Sequence, residues 1–135
     1  MAKLSNARAA RHGLAGAGLL MAVAVVTGVG TAPVGGAGAE ARSRVDRGRE
    51  LAHDFNKGNC LACHSAPRDK TAVTLANIAP PLTMMRDRYP EREALRRHIW
   101  DPMQRNPNTI MPPYGKHRIL TDEEIDLVID YLYTL

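Results

Sequence analysis

The chain has few of the features that usually hold a small domain together. It contains two cysteines in 135 residues, which excludes a multi-bridge disulfide framework and a four-thiolate metal site. It has one phenylalanine and one tryptophan. A domain this small, with so few large aromatics, buries a thin core and commonly needs a staple. After Ala39 no alternating apolar–polar stretch bounded by turn residues occurs, and no repeat or low-complexity segment. A β-sheet therefore has no support in the sequence, and an all-α fold is expected.

The N-terminal segment has the three parts of an export signal. Lys3, Arg8 and Arg11 form a positive region, residues 13–29 are small and apolar, and Thr31 to Ala39 is rich in chain breakers. Ala37-Gly38-Ala39 fits an A-x-A cleavage site, with Ala39-Glu40-Ala41 as the close alternative. The expected division is a cleaved signal peptide over 1–39 and one domain over 40–135. A retained anchor is the rival, but the apolar run is about 17 residues, at the short limit for a bilayer span, and is diluted by glycine. No Arg-Arg pair precedes it, so twin-arginine export is not indicated.

Removing the leader changes the charge argument. Three of the 18 basic residues and none of the 14 acidic ones precede residue 40, which takes the net charge from +4 to +1. The basic character belongs mostly to the leader, and no nucleic-acid partner is implied. The run Arg42, Arg44, Arg47 and Arg49, interleaved with Asp46 and Glu50, is expected to be a solvated helix face.

Cys60-Leu61-Ala62-Cys63-His64 carries the most chemistry. It is a C-x-x-C-H sequence, the attachment signature for c-type haem. Two thiols three residues apart can reach the two vinyl groups of one porphyrin. The histidine that follows is then carried under the ring, where its Nε2 can bind iron. A zinc site would need two further ligands, and only His53 lies near. A thioredoxin-like dithiol would sit beside a βαβ pattern, which is missing. A disulfide would leave His64 without a role. One covalent haem c per chain is expected, held by Cys60 and Cys63, with His64 as proximal ligand. A covalently held porphyrin would also supply the apolar volume that the composition lacks, and its attachment outside the cytoplasm agrees with the export signal.

Around the motif the periodicity predicts a first helix over 43–56. Val45, Gly48, Ala52 and Phe55 form its face, and Lys57-Gly58 caps it. A short helix is expected over 82–88 and a better one over 90–100 with proline at its first position. A proline-rich loop then spans 103–114. Thr121-Asp122-Glu123-Glu124 is a capping box ahead of an Ile125, Val128, Ile129, Leu132 stripe.

The sixth iron position must be filled by methionine, histidine or nothing. Met84, Met85, Met103 and Met111, and His53, His98 and His117, are available. Met111 is favoured because Pro107, Pro112 and Pro113 stiffen its loop, so a thioether is presented at little entropic cost. Met84 and Met85 are assigned to helix core. A thioether ligand raises the reduction potential, as an electron acceptor requires. The Nδ1–H of His64 needs an acceptor, for which the carbonyl of Pro80 is the candidate.

Together these residues resemble the class I cytochromes c. That resemblance implies an all-α fold in which the first and last helices pack beside the haem, with Gly48 and Phe55 meeting the Tyr131 region. The usual Gly-Pro-x-Leu element appears here as Ala79-Pro80-Pro81-Leu82, with alanine as a departure.

A narrower likeness runs through Gly58 to His64, Asn77 to Leu82, Ile99 to Pro102, Asn106-Pro107, Met111 to His117 and Ile119 to Ile125. These segments are similar to the SoxX family, the small monohaem subunits of sulfur-oxidising SoxAX cytochromes. The resemblance implies a periplasmic heterodimer with a SoxA subunit that couples thiosulfate oxidatively to a cysteine of the SoxYZ carrier. In that L-cysteine S-thiosulfotransferase the present chain would be the non-catalytic, electron-accepting subunit, passing electrons to a downstream cytochrome c. With both cysteines committed to haem, it has no catalytic nucleophile of its own. The alternative is a free periplasmic shuttle, although a net charge near zero lacks the marked charge ring that transient docking favours. Trp100, Tyr114, Ile110 and Met103 are expected to form an apolar contact surface for a permanent partner.

Overall fold

Four α-helices and two 3-10 turns account for the regular structure of the computed structural model, which describes residues 36–135. The expected signal peptide lies outside the described residues except for its last four, which stand in the first helix. The helices are α1 (Gly36–His53), α2 (Met85–Arg88), α3 (Arg92–Trp100) and α4 (Asp122–Leu132), with 3-10 turns at Cys60–Ala62 and Pro102–Gln104. No strand occurs among the described residues, and the fold is all-α.

α4 is the best-determined element because its ends and its face agree. The Glu124 amide donates to Thr121 Oγ1 at 3.2 Å, and the Thr121 amide donates to Glu124 Oε2 at 2.8 Å. This reciprocal box satisfies two amides that a helix start leaves unpaired. Asp122, Glu123 and Glu124 place negative charge at the positive end of the helix dipole. Leu120 and Ile125 flank the box and are both buried. Inward, Ile125, Leu127, Val128, Ile129, Tyr131 and Leu132 are all buried. That is a wider apolar face than the expected stripe, since α4 packs against α1 on one side and α3 on another.

The crossing of α1 and α4 is the most extensive helix contact, and Gly48 permits it. A Cβ at Gly48 would lie 2.0 Å from the Leu127 carbonyl oxygen and 3.0 Å from Tyr131 Cβ. α1 buries only Gly48 and Ala52, so its attachment depends on close backbone approach with charge pairs around it. Arg44 and Arg92 both reach Asp130 at 2.7 Å, Lys57 reaches Glu124 at 2.8 Å, and Arg96 reaches Asp126 at 3.2 Å. Three members of the basic run are thus tethers: Arg44 and Arg47 pair with α4, and Arg49 with Asp46 and Asp69. Exposed pairs of this type contribute about 0–1 kcal/mol each, so they fix orientation more than they stabilise.

Two expectations at the end of α1 are corrected. The helix stops at His53, and Phe55 is 80 % exposed instead of meeting Tyr131. His53 takes that place, edge-on to Tyr131 at 6.0 Å between centroids. Gly58 is not a left-handed cap; Asn59 has the positive φ, 45°. Gly58 is needed for space, because a Cβ there would meet the Leu51 carbonyl at 2.5 Å and Cys60 Sγ at 3.3 Å.

Residues 65–79 form turns tied to α4 through Asp69. Its carboxylate accepts from the Tyr131 hydroxyl at 2.7 Å, from Thr71 Oγ1 at 2.6 Å and from the Thr71 amide at 2.8 Å. Arg49 and His53 lie 3.4 and 3.3 Å from it. Burial alone would raise the pKa of Asp69, but the Thr71 and Tyr131 hydrogen bonds and the Arg49 charge outweigh it and hold the carboxyl at about 2. A folded pKa below the ordinary value of 3.8 means stabilisation that is complete above that value and lost as pH falls toward 2. Asp69→Asn is therefore expected to lower the melting temperature at pH 6 and to flatten its fall between pH 4 and 2.5, followed by circular dichroism. Parallel melting profiles for the two proteins would show that Asp69 carries no such linkage.

Candidate haem site

Asn59, in its left-handed conformation, turns the chain out of α1 and into the 3-10 turn. The amides of Cys63 and His64 both donate to the Cys60 carbonyl, at 3.2 and 2.9 Å. This turn packs against α1 and presents Cys60, Cys63 and His64 to one cavity of about 600 Å³. Pro80 and Met111 line the same cavity. A small apolar pocket of about 40 Å³ adjoins it, and Cys60, His64, Met111 and Tyr114 line both.

The thiols are unbridged. Burial, with a smaller contribution from Cys63, pushes the Cys60 thiol up to about 12 against a lowering hydrogen bond to its own backbone. Redox dithiols and metal-binding cysteines need the opposite, a thiolate at neutral pH. Nor is any group of three His, Cys, Asp or Glu side chains placed to hold a metal ion among the described residues. His53, the one nearby extra ligand for zinc, is engaged with Tyr131 and Asp69. Two unbridged, half-buried thiols facing one cavity fit a group that is attached covalently.

His64 Nδ1 lies 2.6 Å from the Pro80 carbonyl oxygen. A carbonyl can only accept, so Nδ1 is the donor, and in the neutral ring this leaves Nε2 with its lone pair. The loop that supplies this carbonyl is fixed on both sides. The Ala79 amide donates to the Cys63 carbonyl at 3.0 Å and the Leu82 amide to Ser65 at 2.7 Å.

The other candidate ligands separate by position. Met84 is 57 % exposed with a positive φ, a correction to its expected place in the core, whereas Met85 is buried. α2 starts later than expected, at Met85, which leaves Met84 as the residue outside it. Met103 and His117 line neither cavity. His98 does line the large cavity. Of the expected apolar contact surface only Ile110 is exposed. Tyr114 is buried, and the Trp100 indole lies over Gly115, where a Cβ would approach Trp100 Cδ1 to 1.9 Å.

Three features of the site were not foreseen. Asp101 caps the second 3-10 turn by accepting from the Met103 amide at 3.2 Å, and it pairs with Lys116 at 2.9 Å. The Asp-Pro step after α3 is a recognisable signal for such a cap. Backbone bonds from Tyr114 to Ile99 and from Gly115 to Trp100 dock the methionine loop on the end of α3. Finally, Arg88 and Arg105 reach the cavity wall. No local pattern marks either of them.

An all-α shell around a C-x-x-C-H turn that faces a cavity, with a histidine oriented by a carbonyl, defines a c-type haem protein. Residues 45–135 match the family profile described as Cytochrome c. The chain belongs to the cytochrome c family. A haem electron-transfer cytochrome is therefore its class, and covalently bound haem c its cofactor. It is also similar to a protein of Aquifex aeolicus (strain VF5) described as an uncharacterized lipoprotein, with 32% identity over 77 residues. That match covers 57% of this chain but only 36% of the relative, so the chain corresponds to about a third of that protein.

Proposed function

We propose that this cytochrome is the electron-relay subunit of a SoxAX-type thiosulfate-processing complex. In this reading Cys60 and Cys63 hold one haem by thioethers, with His64 and Met111 as its axial ligands. A haem so held cycles its iron between two oxidation states by single electrons. The residues of the chain keep that change small: Pro80 fixes the imidazole plane, the prolines around Met111 limit the thioether's freedom, and Leu82, Ile99, Leu120, Val128 and Leu132 keep water from the apolar side.

The observation that carries the relay role is the shared cavity of His64 and Met111, with both thiols of the chain committed beside them. Such a site leaves no nucleophile to accept a sulfur group, which favours electron transfer over catalysis. The segmental likeness to SoxX supports the choice of partner: a SoxA subunit, acting on SoxYZ and followed by a soluble cytochrome c. The relative described as a lipoprotein supports a location outside the cytoplasm, as does the expected signal peptide.

A second reading, a free periplasmic shuttle, is favoured by Ile78 and Ile110, which line the cavity and are 63 % and 76 % exposed. An apolar rim suits brief docking as well as a permanent contact. Affinity capture of the tagged, matured protein from its native periplasm separates the two. Recovery of a second c-type cytochrome in near-equal amount, with haem reduction on adding thiosulfate to the pair, is the expected result. A lone monohaem protein indifferent to thiosulfate would replace the relay subunit by the shuttle.

A further inference from the structure

The wall of the large cavity is apolar over most of its extent but carries Arg88, His98 and Arg105, and no carboxylate lines it. These three side chains come from three places: the end of α2, the last turn of α3 and the residue after the Pro102–Gln104 turn. The arginines of α3 and most of those of α1 are paired with carboxylates: Arg92 with Asp130, Arg96 with Asp126, Arg97 with Glu93, Arg44 with Asp130. Among the described residues neither Arg88 nor Arg105 is within ion-pair distance of an acidic group. Arg88 Nη1 donates to the Pro81 carbonyl at 2.9 Å, which ties it to the loop that orients His64.

His98 is the more telling residue. Its ring stacks on Tyr89, 5.7 Å between centroids and 28° apart. Its Nδ1 is shielded from solvent and has no hydrogen-bond partner. A buried polar atom without a partner is destabilising. Two arginines without carboxylate partners and an orphaned imidazole nitrogen on one cavity wall call for an anionic acceptor group.

We propose that Arg88, His98 and Arg105 form the seat for the two propionate carboxylates of the haem, with His98 Nδ1 donating to one of them. This rests on the haem reading of the site. Haem carries its propionates on the porphyrin edge opposite its vinyl groups. The vinyls belong at the motif turn, which packs against α1, while the cations are supplied by other elements. A carboxylate is the one anion that the expected cofactor brings into a cavity lined by no acidic side chain. Charge-assisted bonds to guanidinium groups are the strong kind, and they place positive charge beside the iron.

Two readouts on the matured full-length protein test the seat. In the ferrous wild-type protein, magnetisation transfer is expected between the propionate methylene protons and the side-chain protons of His98 and at least one of the two arginines. Spectroelectrochemical titration is expected to give a lower midpoint for Arg88→Gln and for Arg105→Gln, since lost positive charge favours oxidised iron. In the double variant the electron equilibrium should move about tenfold, or 59 mV for one electron. Arg47→Gln on α1, also one charge fewer, should move it less than twofold, and Arg105→Lys should stay close to wild type. Propionate protons with no contact to residues 88, 98 and 105, or midpoints of the cavity variants no lower than that of Arg47→Gln, would overturn the seat. The wild-type measurement needs no variant to fold. A matured wild-type chain whose mass contains no haem would instead sink the haem reading itself.

Discussion

Met111→Ala is expected to abolish the thioether-to-iron charge-transfer band at the red end of the oxidised spectrum. It should also lower the midpoint potential by a few tenths of a volt, within the roughly 0.8 V over which axial ligands set haem potentials. Among the described methionines Met111 alone lines both the large cavity and the small apolar pocket, each shared with His64. Met84 is exposed, and the Met85 sulfur lies 3.6 Å from Arg88 Nη1 in the core. Met103 lines neither space. The loop is held for this purpose: the Met111 amide donates to Thr109 Oγ1 at 3.1 Å, and Pro112 follows at once. With the sulfur gone the reduced protein should bind carbon monoxide readily, whereas the wild-type protein should not. A charge-transfer band that survives in Met111→Ala would move the sixth ligand elsewhere.

Gly48→Ala should be strongly damaging although it adds only one methyl group. In an exposed helix, glycine to alanine gains about 1 kcal/mol. At Gly48 the new carbon would sit 2.0 Å from the Leu127 carbonyl oxygen and 2.6 Å from its carbon. These are backbone atoms of a helix, so no rotamer change relieves the contact, and α1 must shift away from α4. Overpacking costs about 1–3 kcal/mol where side chains can adjust. The upper end of that range is expected here, which less the helix gain leaves a net loss of about 2 kcal/mol. For a domain of this size that corresponds to a fall of roughly 10 °C in melting temperature. Thermal unfolding of the matured protein measures it. A melting temperature equal to or above wild type would mean that α1 and α4 are not in the close contact described.

The parts of this protein that the sequence reveals are those governed by local rules. The capping box at Thr121, the stripe from Ile125 to Leu132 and the C-x-x-C-H turn each depend on residues within one or two helical turns. The pairing of His64 Nδ1 with the Pro80 carbonyl follows from a proline-stiffened loop at a suitable distance along the chain. Periodicity fails where side chains compete with the helix for its own backbone. Phe55 continues the apolar rhythm of α1, but Asp54 Oδ1 accepts from the Asn56 amide at 2.8 Å, and the Asp54 carbonyl accepts from Lys57 and Asn59. The chain turns away before Phe55 can face Tyr131.

Met84 and Met85 show the same sensitivity in another form. They are adjacent in sequence, and the later start of α2 leaves one in the core and the other in solvent. The cationic wall of the cavity was illegible for a different reason. Arg88, His98 and Arg105 belong to separate elements, and only the folded chain brings them to one surface.

The most direct test of the account is the intact mass and spectrum of the chain expressed with c-type haem maturation. Addition of two thiols across two vinyl groups loses no atoms, so the matured mass should equal that of the polypeptide plus one haem. The haem should resist acid extraction. The oxidised protein should show the red charge-transfer band of a thioether ligand, and Cys60→Ala with Cys63→Ala should remove the added mass. A wild-type mass equal to the bare polypeptide after maturation, with both thiols titratable, would contradict the assignment of Cys60, Cys63 and His64 to haem and with it the electron-relay function.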